Sequence, residues 1–116
     1  MKNDPSIALC TPSWLSLAET NALAGFVREV QKSSLVIDQL WLYGSRARGQ
    51  SHTQSDLDVA VVCANTPDNA REILHSAAWN AGLGSDGPPI EACVTGPISD
   101  PKSTLYLARS DAIRLI

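Results

Sequence analysis

The chain is poor in the features that mark a secreted, membrane-embedded or duplex-clamping protein. Its three cysteines, Cys10, Cys63 and Cys93, form no C-x-x-C pair. Two of them sit inside apolar runs, where a thiol behaves as a small hydrophobe, so the expectation is a reduced, cytoplasmic protein. No apolar run approaches the roughly eighteen residues of a membrane span, and Met1-Lys2-Asn3-Asp4-Pro5 lacks the long apolar region of a signal peptide. Basic charge is also scarce. Nine Lys and Arg are scattered against twelve Asp and Glu, for a net charge of −3. Without a basic stripe the chain is not expected to clamp duplex nucleic acid, and a nucleotide suits it better than a long polymer. Internal repeats and low-complexity tracts are lacking as well. At 116 residues the expectation is a single domain, 1–116, with no room for a second substrate-binding domain. Further recognition surface then has to come from a partner.

The elements that are present follow from periodicity. Residues 1–12 carry two prolines and no sustained period, which reads as an extended lead-in. Ser16-Leu17-Ala18-Glu19 has the form of a capping box, and Leu23, Phe26, Val27 and Val30 recur at helical spacing beyond it. A helix over 17–31 is predicted. Leu35-Val36-Ile37 and Leu40 to Tyr43 are rich in β-formers and end at Gly44, predicting a first strand. In a second strand, 57–63, Leu57, Val59, Val61 and Cys63 share one face while Asp58, Ala60 and Val62 share the other. Thr66-Pro67-Asp68 reads as an N-cap with a first-turn proline, opening a helix whose stripe is Ala70, Ile73, Leu74, Ala77, Ala78 and Ala81. Ile90 to Val94 reads as a third strand, with Glu91 and Cys93 pointing away from Ile90, Ala92 and Val94. From Ser103 to Ile116 a terminal helix of about ten residues is predicted, with an unusually bare apolar end. Trp14, Trp41 and Trp79 read as core or partner-contact residues, and Tyr106 as packing onto the sheet or as part of a docking surface. His52 and His75 read as solvated.

Chemistry concentrates in one stretch. Asp56 and Asp58, two apart at the head of a strand, project from the same side and set two hard oxygen ligands together. Ahead of them Gly44-Ser45 follows the first strand, where a small residue lets backbone N–H groups approach phosphate oxygens. Ser45 is a candidate hydrogen-bond donor to phosphate. Arg46 and Arg48 are candidates either for phosphate pairing or for a structural pair with an acidic residue, and in a helical segment their spacing keeps them off a common face. Ser55 is a candidate for fixing the loop before the first Asp. If the third strand lies beside the second, Glu91 joins the two aspartates.

Gly44-Ser45, then the ten residues from Arg46 to Ser55, then Asp56-Leu57-Asp58 resembles the signature of the DNA polymerase β superfamily of nucleotidyltransferases. The fuller form, Gly-Ser-Arg-Ala-Arg-Gly with Ser-Asp-Leu-Asp, looks most like the minimal nucleotidyltransferase branch. The resemblance covers about 36–94. It implies an α/β (α+β) fold, a small mixed sheet with helices packed on one face. It also implies that two Mg²⁺ ions and ATP engage Asp56, Asp58 and Glu91, while Gly44, Ser45, Arg46, Arg48 and Ser55 serve the nucleotide. In such proteins the third acidic residue ligates the catalytic metal and helps deprotonate the attacking hydroxyl. Here Glu91 stands where Asp is common. The implied reaction moves AMP from ATP onto a hydroxyl and releases pyrophosphate. Members of this branch often occur beside a small helical partner of the HEPN type, and some act as antitoxins by adenylylating a tyrosine of that toxin. Two rivals stand beside this reading: a binding module that neutralises or assembles with its partner by contact, and a transferase for a small hydroxylated molecule such as an aminoglycoside. A homo-oligomer is compatible with each.

Overall fold

Among the described residues two long helices, one short helix and a four-stranded sheet surround a core with the acidic strand ends on the face away from the long helices. The computed structural model describes residues 9–49, 56–65, 67–83 and 87–116. Helix α1, Leu17–Gln31, begins at the expected capping box: the Ser16 hydroxyl accepts from the Glu19 amide at 3.1 Å, and the Glu19 carboxylate accepts from the Ser16 amide at 2.7 Å. Strands β1, Ile37–Tyr43, and β2, Leu57–Cys63, pair antiparallel. Helix α2, Ala70–Leu83, then carries the chain to β3, Ile90–Val94, which runs parallel to β2 as a crossover connection requires. The sheet order is β3-β2-β1-β4.

The period of two in the strands decides what is covered. Leu40 and Leu42 of β1 and Leu57, Val59 and Val61 of β2 face the helices and are fully buried with Leu23, Phe26 and Val30 of α1 and Leu74 of α2. The alternate residues, among them Trp41, Tyr43, Asp58 and Ala60, fall on the opposite face.

The predicted terminal helix of about ten residues does not form. Residues 103–116 form one short helix, α3, Thr104–Leu107, and then a two-residue strand, β4, Ile113–Arg114, paired antiparallel with β1. The apolar end is not bare. Leu115 is fully buried in the main core, and its amide donates to the Leu40 carbonyl at 2.7 Å. Tertiary pairing overrides the helical spacing because β1 would otherwise leave a buried edge without partners. Leu105 and Ala60 are also fully buried yet stand outside the helix-side cluster.

Two smaller differences concern starts. The first strand begins at Ile37, with Leu35 buried just before it and Val36 exposed. The second helix begins at Ala70, after a turn in which the Pro67 carbonyl accepts from the Ala70 amide. Thr66, expected to cap it, lies outside the described residues, as does His52.

Candidate active site

At the end of β1 the chain turns sharply, and the turn is built against Asp58. Gly44 has φ +79°, a left-handed value that disfavours any β-carbon. A β-carbon there would also lie 2.5 Å from Oδ2 of Asp58, so only glycine lets the backbone pass this close to the carboxylate. Through 44–49 the chain closes on itself. The amides of Ala47 and Arg48 donate to the Gly44 carbonyl, and that of Gly49 to the Arg46 carbonyl. Ser45 lies at the head of this turn, and among the described residues neither its amide nor its hydroxyl has a hydrogen-bond partner.

Residues far back in the chain hold the turn. Arg46 is 7% exposed, and its guanidinium pairs with the carboxylate of Glu19, the same side chain that closes the capping box of α1. Burial favours the neutral form of Glu19, but hydrogen bonds from the Ser16 amide and hydroxyl and the charge of Arg46 outweigh it, holding the carboxyl below its ordinary range. The indole Nε1 of Trp14 donates to the Arg46 carbonyl at 2.6 Å, and Gly49 packs against the face of that indole. Arg48 points elsewhere, its Nη1 being 3.6 Å from Oδ2 of Asp111, with both side chains partly exposed. Arg46 and Arg48 therefore take different directions from one turn.

The register brings the acidic residues together. Asp58 lies opposite Tyr43 on β1 and opposite Glu91 on β3, so all three project from the face away from the helices. Asp56 precedes β2 by one residue and is exposed. Burial pushes the Asp58 carboxyl above its ordinary value, and the charges of Asp56 and then Glu91 push it further. The charges of Asp56 and Glu91 thus bear on Asp58. Among the described residues, no three His, Cys, Asp or Glu side chains stand close enough to form a ready-made metal site. Their donor set nevertheless fits a hard divalent cation: every ligand atom is a carboxylate oxygen, and the repulsion at Asp58 is what such a cation would relieve.

Tyr43 and Cys93 complete this face; alternation in the sequence places Cys93 on the Glu91 side, whereas it gives Tyr43 no place there. The Tyr43 hydroxyl and the Cys93 thiol lie 3.7 Å apart across β2. Burial, the Cys93 contact and the charges of Asp58 and Glu91 raise the phenol well above its ordinary range, so it remains a neutral group beside the acids. Period-two alternation from Asp58 and Glu91 was the available signal. For Glu19 and Trp14 none existed, since their tie to Arg46 spans 27 and 32 residues. Ser55 lies outside the described residues.

A glycine turn packed on an acidic strand end, with a further acid on the parallel neighbour, defines a small α/β domain with its acidic side chains on one face of the sheet. The family model of the polymerase beta nucleotidyltransferases matches residues 27–84, half of the chain, spanning the turn, Asp56 and Asp58. The chain belongs to that family. Glu91 lies beyond the matched segment. A solved toxin–antitoxin complex with AMP-PNP is similar in structure, with 22% identity, a TM-score of 0.46, and coverage of 81% of this chain and 69% of the other. No curated protein matches the chain.

Proposed function

We propose that this nucleotidyltransferase domain transfers AMP from ATP to a hydroxyl, with a tyrosine of a small helical, HEPN-type toxin as the acceptor, and so serves as its antitoxin. The observation that carries the transfer is the placing of Asp58 directly under Gly44 and beside Glu91. Ser45 offers an unspent amide and hydroxyl to the phosphates. Asp56, Asp58 and Glu91 would hold magnesium, two ions in this reading, which supplies charge neutralisation of the triphosphate and of the leaving pyrophosphate. The acceptor oxygen attacks the α-phosphorus, the bond from that phosphorus to the bridging oxygen of the β-phosphate breaks, and the hydroxyl proton passes to the Glu91 carboxylate. Arg46, locked to Glu19, holds the shape of the turn. Arg48, partly exposed and paired with Asp111, would have to leave that pair to reach a phosphate. The acceptor is drawn from the motif, whose form is that of the minimal branch.

A second reading has one observation in its favour. The acidic side chains do not already converge as a metal site, which suits a module that neutralises its partner by contact alone. Incubating the protein and its helical partner with α-phosphate-labelled ATP and magnesium separates the two. Transfer predicts label on a partner tyrosine with the wild type and none with Asp58→Ala, while an unlabelled partner in an intact complex establishes the contact reading.

A further inference from the structure

The outer edge of the sheet is open beside the acids. β3 is an edge strand, and Pro89 O and Thr95 N bond toward β2. By alternation the N–H and C=O groups of Ile90, Ala92 and Val94 face outward, and among the described residues none has a partner there. Edge strands are ordinarily blunted by lysine, by an internal proline or by a bulge. This one has none of these. Along it run two adjoining grooves, of about 340 and 370 Å³, that share His75, Ala78, Ile90 and Glu91. One end is apolar, formed by Trp79 and Leu83, which are 68% and 72% exposed. At the other end the groove carries Arg71.

We infer that this edge is the docking site for the acceptor: an extended polypeptide segment that pairs with β3, anchors an apolar side chain against Trp79 and Leu83, and sets an acidic one near Arg71. The register explains why such a segment would meet the chemistry. In a strand added to β3, alternate side chains fall on the α2 side, in the groove, and on the far side, level with Glu91 and Asp58. A hydroxyl-bearing residue flanked by apolar ones therefore faces the carboxylates while its neighbours fill the groove. A nucleic acid finds apolar walls and Glu91 along this edge. The identity of the segment as acceptor rests on the nucleotidyl-transfer reading, whereas its docking does not.

The probe is a capped peptide of alternating valine and threonine carrying one tyrosine flanked by valines and one aspartate. Without ATP, millimolar peptide is expected to shift the amide resonances of Ile90, Ala92 and Val94 and to change the Trp79 fluorescence. Arg71→Glu should weaken binding about tenfold and Trp79→Ala by a similar factor, both sites being exposed and harmless to the fold. With MgATP the tyrosine is adenylylated, and moving it one position along the peptide abolishes labelling while binding persists. Absence of shifts at these three amides overturns the proposal. So does a dimer of this chain in which the same amides are already protected from exchange. Binding without transfer upholds the docking site and removes the transferase reading; transfer at an unchanged rate in Arg71→Glu and Trp79→Ala does the reverse.

Discussion

Gly44 and Asp58 constrain each other, and the consequences separate stability from activity. Gly44→Ala adds a β-carbon 2.5 Å from the Asp58 oxygen at a backbone angle that already resists one. The expected cost is about 1–3 kcal/mol, seen as a lower urea midpoint, together with loss of transfer because the carboxylate is displaced. Asp58→Asn works in the opposite sense on stability. Burial and the neighbouring acids raise the folded-state value of Asp58. Its contribution to stability is therefore present below the ordinary aspartate value and is lost as pH rises through the raised one. In magnesium-free buffer at neutral pH, Asp58→Asn should melt higher than the wild type, and the difference should vanish once Asp58 is protonated. The same variant should lose transfer by about 10³-fold or more, since ligand carboxylates supply the charge balance of phosphoryl chemistry. Equal melting temperatures at neutral pH would show that the repulsion is relieved in the folded protein. The aspartate pair was legible in the sequence because ligand spacing is local. The partners of Asp58 on β1 and β3 depended on register, which periodicity limits to a face but does not align.

At the level of elements, α1 and the glycine turn form one device. Glu19 closes the capping box and neutralises Arg46, so a helix start and the glycine turn share a carboxylate. Its lowered folded-state value contributes stability above the ordinary glutamate range, and that stability is lost as pH falls through the folded value. Glu19→Gln would take the carboxylate away from the buried Arg46 guanidinium. About 3 kcal/mol of destabilisation is expected by urea denaturation at neutral pH, narrowing in acid as the wild-type carboxylate protonates. A loss under about 0.5 kcal/mol, the scale of an exposed pair, would mean that solvent reaches Arg46. The capping box itself was readable because Ser16 and Glu19 are three apart. The ion pair was not, for nothing in the pattern around Glu19 distinguishes a cap from a cap that also holds an arginine from the end of β1. Trp14 was ambiguous for the same reason: an indole read from sequence has a buried body, and its N–H partner is known only once the turn is placed.

At the scale of the whole molecule, the chain leaves β3 at one edge of the sheet and returns at the opposite edge as β4. Arg48 and Asp111 bridge the glycine turn to the segment just before it. Elements with long periods, α1, β2, α2 and β3, were legible from spacing alone, whereas a two-residue strand has no period to read. Leu105, Leu107, Ile113 and Leu115 suggested one helix because short apolar sequences fit several templates, and the choice was made by long-range pairing with β1. Leu115 decides between the two descriptions. As the bare end of a terminal helix it would tolerate truncation; as a fully buried member of the main core, hydrogen-bonded through its backbone to Leu40, it should not. Leu115→Ala is expected to cost about 2–5 kcal/mol, on the scale of a central core leucine. Leu107→Ala, at a side chain 74% exposed, should cost less than about 0.5 kcal/mol. Comparable urea midpoints for the two variants would show that the last strand does not close the sheet.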